Sequence, residues 1–183
     1  MNQKTNTMKK FILIQILFAL GLPAFSQVYR KPAKIESPGY DSILNASRDI
    51  SGSNRLERKA ELDSYCKERC VRFIDILIKN PKYIVIEGGA EKESHREAKY
   101  SENFNIAMFQ SRRVNPGFVA KFVNSSFDSS PGHHANRVDP RFKKFGEYSM
   151  TVVLKIPNED YDPNKISNEF IQVEALITYE AFR

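Results

Sequence analysis

Glu147-Tyr148-Ser149-Met150-Thr151-Val152-Val153-Leu154-Lys155-Ile156 places an apolar side chain at every second position, and Ile171-Gln172-Val173-Glu174-Ala175-Leu176-Ile177-Thr178-Tyr179-Glu180 repeats the pattern. A period of two in residues rich in β-branched and aromatic side chains predicts two strands. Alternation this clean suits antiparallel strands with one face in a core. Pro157 and Pro163 bound the loop around residues 158–164, which is short enough for a hairpin.

Upstream, the period changes. Leu62, Cys66, Cys70, Phe73, Ile74 and Leu77 recur at three and four residues among charged neighbours, which predicts a long amphipathic helix ending near Asn80-Pro81. Tyr40 to Ile50 predicts a short helix capped by Asp41 or Ser42, broken by Ser51-Gly52-Ser53-Asn54. Pro116 stands at a helix first turn, with Phe118, Val119, Phe122, Val123 and Phe127 as its buried stripe. Lys82 to Glu87 reads as a β-branched strand, Ala90 to Lys99 as a charged loop, and Tyr100 to Phe109 as a further strand. No βαβ alternation occurs, so helices pack on an antiparallel sheet and the class is α+β.

The chain has 183 residues with 41% hydrophobic and 11% aromatic content, enough apolar surface for one globular domain and against disorder. Its net charge of +6 invites a nucleic-acid or anionic-membrane partner. The location of that charge weakens the invitation. Lys9 and Lys10 precede the apolar run Phe11 to Leu22, and Pro23-Ala24-Phe25-Ser26 follows with small residues at cleavage positions. Residues 1–26 read as a secretory signal peptide cut after Ser26, too short in its apolar run to stay as a membrane anchor. They hold Lys4, Lys9 and Lys10 and no acid, so half of the +6 belongs to them. The mature chain is expected to be secreted or periplasmic, with residues 27–39 as an extended lead-in and 40–183 as the domain.

Cys66 and Cys70 lie four residues apart, which on a helix separates their Cβ atoms by about 5–6 Å. A relaxed disulfide needs about 3.5–4.5 Å, so two small buried residues are the simpler reading, beside a metal pair that lacks two nearby ligands. Arg137, Arg141, Lys143 and Lys144 interleave with Phe142 and Phe145 in the manner of a nucleic-acid contact. For an exported chain a solvated loop is preferred, and no nucleic-acid partner is expected.

Two of the three histidines fall in Ser130-Pro131-Gly132-His133-His134-Ala135-Asn136, which follows Phe127 and precedes Pro140 and Phe145-Gly146-Glu147. This order resembles the signature of the CAP superfamily, the SCP-like or PR-1-like extracellular domains, in its bacterial form. Ser101-Glu102-Asn103-Phe104 is similar to the family's Gly-Glu-Asn motif, and Leu62, Cys66 and Cys70 to its Leu-x3-Ala-x3-Ala helix. The resemblance spans about Tyr40 to Phe182. It implies a three-layer α-β-α sandwich with a central antiparallel sheet, and a cleft where two His and two Glu can hold a divalent metal such as zinc. Glu102 and His133 match that set, with His95 as the first histidine. No Glu lies between Asn103 and Gly146, so the second acid is absent.

The residues by themselves allow a plainer role, in which Glu102 and His133 bond to each other and tie a strand to a helical turn. Two ligands fall short of the three or four that zinc takes from a protein. The function expected is a secreted, non-catalytic protein that binds an extracellular or envelope ligand such as a lipid, with Phe118 and Phe122 lining a groove. The alternative is a metal-assisted hydrolase or peptidase using Glu102 and His133. No Gly-x-Ser-x-Gly elbow and no His-Glu-x-x-His helix is present.

Overall fold

A computed structural model describes residues 27–110, 114–161, 164 and 169–183; the expected signal peptide lies outside them. Its strands are β1 (Gln27–Lys34), β2 (Glu57–Arg58), β3 (Ser101–Phe109), β4 (Lys144–Pro157) and β5 (Phe170–Phe182). The helices are α1 (Tyr40–Ile50), α2 (Ala60–Lys79), α3 (Gly89–Ser94), α4 (Pro116–Ser129), α5 (Pro131–Val138) and α6 (Asn158–Tyr161). One sheet runs in the order β1-β4-β5-β3, antiparallel throughout, with the two-residue β2 parallel to the start of β4. Helix α2 covers one face, and α1, α4 and α5 cover the other. The class is α+β in three layers.

The predicted stripe of α2 forms the apolar side of the core. Leu62, Cys66, Cys70, Phe73, Ile74 and Leu77 are fully buried against Met150, Val152, Leu154 and Ile156 of β4 and Val173, Ala175 and Ile177 of β5. Each Leu, Ile, Val or Phe side chain among them, fully withdrawn from water, contributes about 1.5–3 kcal/mol. The helix lies directly on the strand at Gly146, where a Cβ would overlap the backbone of Leu62 and Asp63. Both cysteines are free, and their thiols donate to the carbonyls of Gly146 (3.5 Å) and Tyr148 (3.2 Å). This is the small-residue reading of the pair.

Five expectations change. The extended lead-in is part of the sheet, since Gln27–Lys34 is edge strand β1. The helix at Tyr40 is capped by Gly39, whose φ of 80° is a left-handed conformation that glycine adopts without strain, rather than by Asp41 or Ser42. The run Lys82–Ile86 forms one π-helical turn instead of a strand, and the Glu87 N–H donates to the Lys82 carbonyl. Pro81 takes helical angles there, Asn80 Oδ1 accepts from the Tyr83 N–H at 3.0 Å, and Ile84 is buried in the apolar layer. A short apolar run reads alike as a strand or as a buried helical turn. The charged segment that follows begins with the short helix α3.

Finally, β4 and β5 are buried on both faces rather than one. Glu147, Ser149, Thr178 and Glu180 are each at most 2% exposed. The second helical layer is the reason. The hairpin pairs as far as Pro157 with Phe170, and its loop includes α6.

Candidate functional site

Strand β3 sets the geometry of the region because successive side chains point to opposite faces. Glu102 turns toward α2 and Asn103 toward α5. Glu102 is 6% exposed. It accepts from the Tyr65 hydroxyl and from Arg69 Nη2 (3.2 Å), and Arg69 Nε lies 3.1 Å from its other oxygen. Arg69 also donates to the carbonyls of Arg96 (2.6 Å) and Ser94, and its guanidinium stacks 5.3 Å from the Tyr179 ring centroid. Tyr65 accepts from the Lys99 N–H at 3.0 Å. Burial and the neighbouring Glu102 push its hydroxyl up to about 12. Glu102 thus anchors the segment leading into β3, and its charge is balanced by Arg69.

His133 lies half-buried on α5, its ring edge-on to Phe127 with centroids 5.1 Å apart. Burial lowers its pKa, and the charge of His95 lowers it further. His95 is exposed at the C-terminus of α3. The structure gives Glu102 to Arg69 and sets His133 against Phe127, with His95 exposed at the end of α3. Among the described residues no three His, Cys, Asp or Glu side chains converge to hold a metal ion. The set as it stands offers two imidazoles and no unpaired carboxylate, short of what zinc takes.

The tie between strand and helical turn exists, and asparagines make it. Asn103 Nδ2 donates to the His133 carbonyl (3.1 Å) and to Glu180 (2.8 Å), and its Oδ1 accepts from Asn136 Nδ2 (3.0 Å). Asn136 also donates to the Glu102 carbonyl (3.2 Å), and its Oδ1 accepts from Ser101 Oγ (3.0 Å).

Beneath this tie lies a buried polar layer. Glu180 has no exposed surface; it accepts from the Tyr40 hydroxyl at 2.6 Å and faces Arg137 Nε at 3.3 Å. Arg137, equally buried, donates to Asp128 (2.7 Å) and to the Asn124 carbonyl (3.1 Å). It is an interior ion-pair partner rather than part of an exposed basic patch. Across the strand from Glu180, Glu147 accepts from Ser37 (2.9 Å), Ser149 (2.5 Å) and Arg58 (3.3 Å). Burial pushes the Glu147 carboxyl up despite these donors, and Glu180 adds to the effect. A cleft of about 550 Å³ reaches it between Lys34, Ser37, Tyr40, Asp41 and Arg58. Glu147 and Glu180 were missed because they occupy the polar positions of strand patterns read as solvent-facing, and Arg137 because it was read with a solvated basic cluster. The signal was the placement of Glu147 and Glu180 with Ser149 and Thr178 on one face of both strands.

Phe109, Phe118 and Phe122 cluster where β3 ends and α4 begins, with centroids 5.0–5.7 Å apart. All three are half-buried, unlike Val119, Val123 and Phe127 beside them. Among the described residues no helix is long and apolar enough to cross a membrane.

No protein-family profile matches the chain, and no curated protein matches it in sequence. Among solved structures, an outer surface protein of Borrelia burgdorferi is similar at 13% identity and a TM-score of 0.37, over 84% of this chain and 100% of that one. A cysteine-rich secretory protein of Staphylococcus aureus is similar at 10% identity and a TM-score of 0.30, over 76% of this chain and 38% of its own length. Overlaps this loose assign no residue a role.

Proposed function

We propose that the chain is a secreted or periplasmic, non-catalytic protein of the CAP type that binds an apolar ligand of the envelope or extracellular space, such as a lipid. The carrying observation is the half-buried cluster of Phe109, Phe118 and Phe122, which leaves aromatic surface open beside a closed core. Ligand sites are mostly apolar with a few fixed polar groups. The pairing of Glu102 with Arg69 supports the non-catalytic part, since that carboxylate is not free to act as a base.

The test is native mass spectrometry and lipid extraction of residues 27–183. A retained apolar molecule, lost in Phe118→Ser/Phe122→Ser while the melting curve persists, is the expected result. Repeated recovery of empty protein would overturn the proposal.

The electrostatic influence of His95 on His133 favours a second reading, a metal-assisted hydrolase. It requires Glu102 to leave Arg69. Metal analysis after dialysis against zinc, followed by peptide cleavage by wild type and His133→Ala, separates the two. Equal background cleavage by both ends the hydrolase reading.

A further inference from the structure

The sheet has two edges, and they differ in how they meet solvent. An open edge offers unpaired N–H and carbonyl groups to another chain, and proteins blunt such edges with charge, proline and bulges. Edge strand β1 has all three: Arg30, Lys31 and Lys34, Pro32, and two breaks in its register with β4. Edge strand β3 has no proline and no bulge, and its one charged residue, Glu102, is buried against Arg69 at the start of the strand. No charged residue occurs from Asn103 to Gln110, and its pairing with β5 is unbroken over nine residues.

Its outward groups can be identified. Asn136 bonds the Glu102 carbonyl, so that carbonyl points away from β5. In an antiparallel pair the outward positions recur at every second residue, which places the N–H and carbonyl groups of Phe104, Ile106 and Met108 on the free side. Among the described residues no hydrogen bond reaches them. Asn136 closes the run at Glu102. Ile106 and Met108 are half-buried at the rim of the apolar layer.

We infer that β3 is a homodimer interface, in which a second copy of this chain pairs antiparallel with residues Phe104–Met108 about a two-fold axis at Ile106. Self-pairing in this register sets Phe104 across from Met108 of the second copy and Ile106 across from its own counterpart. Each such pair exchanges two hydrogen bonds. Charge is the argument for a second copy: the uncharged segment Phe104–Met108 opposes no like charges when it meets itself, and apolar cross-strand pairs stabilise the contact. An isologous two-fold contact is also the commonest way for a soluble chain to assemble. The inference rests on backbone groups and on the face opposite Phe109, so it stands or falls separately from ligand binding.

Sedimentation of residues 27–183 tests it. A dimer is expected in the micromolar range, and Ile106→Lys is expected to weaken it by about tenfold or more, because like charges then meet at the axis. Circular dichroism melts of Ile106→Lys and Met108→Lys show whether each variant folds. Ile106→Cys should form a disulfide-linked dimer on oxidation, since paired Cα atoms about 5.5 Å apart lie within the roughly 4.4–6.8 Å that a disulfide spans. A wild type that stays monomeric, a folded Ile106→Lys that dimerises equally well, or a monomer that instead captures an uncharged strand peptide would each overturn the proposal.

Discussion

The two faces of the sheet are equally buried and oppositely built. Under α2 the layer is apolar from Leu62 and Phe73 to Leu154 and Ile177, apart from the buried pair of Arg69 and Glu102. Under α1, α4 and α5 the same two strands present Glu147, Ser149, Thr178 and Glu180, joined to Tyr40, Asn103 and Arg137, beside the apolar Phe145, Leu176 and Phe182. The apolar face needs only shape and volume. The polar face needs every donor and acceptor to find its partner, because an unpaired buried group costs more than its bond contributes. One side therefore tolerates trimming in proportion to the atoms removed, and the other fails when a single partner is lost.

The largest expected effect is on the polar face. Arg137→Met leaves Glu180 buried beside an apolar chain, and breaking a buried ion pair costs about 3–5 kcal/mol. The double variant Arg137→Met/Glu180→Leu should recover much of that loss, since apolar replacement of a whole pair is often neutral. Urea melts of the single and double variants check both statements. If the double variant is as unstable as the single one, hydrogen bonding to Tyr40 and Asn103 matters more than the ion pair.

On the apolar face, Leu154→Ala should cost about 2–5 kcal/mol, and Ile177→Val only about 0.5–1.5 kcal/mol. No second substitution nearby should rescue either by charge. The same melts decide it.

A smaller effect follows from Glu147. Because burial raises its carboxyl above the ordinary 4.5, the folded protein keeps that proton over a range of pH where the unfolded chain has lost it. Its contribution is complete below about 4.5 and declines as pH rises through the raised value. Stability measured upward from pH 4.5 should fall less steeply in Glu147→Gln than in wild type; parallel curves would place the titrating group elsewhere.

The smallest effect concerns the histidines. Burial is the main cause that lowers His133, and His95 the second. His95→Ala should move the His133 titration upward in an NMR experiment while leaving it below 6.5. An unmoved titration would mean that the two rings do not sense each other.

The contrast between the faces also explains what was legible in the sequence. The α2 stripe and the strands 147–156 and 171–180 could be read from periodicity, because apolar side chains at fixed spacing have few alternatives to a shared core. The polar layer follows the same period, yet a glutamate at a strand's second face reads as solvated unless something covers it. What covers it here is α1, α4 and α5, and no local pattern around Glu147 or Glu180 announces them. Arg137 was misplaced for the same reason, since a basic run looks exposed when its carboxylate lies 43 residues away. Of the candidate site, Glu102 and His133 could be named from the sequence, but their partners, Arg69 for one and Phe127 for the other, come from elements whose approach depends on the whole fold.

The two cysteines give the molecule a built-in reporter. They are its only thiols, both are fully buried between α2 and β4, and burial raises both thiol pKa values well above normal. A thiol reagent can reach them only when the helix lifts from the sheet. Their labelling rate under native conditions therefore measures how often the apolar layer opens, with no added probe and no mutation. Ligand added to the aromatic cluster, or pairing along β3, would register as a slower rate if it steadies that layer.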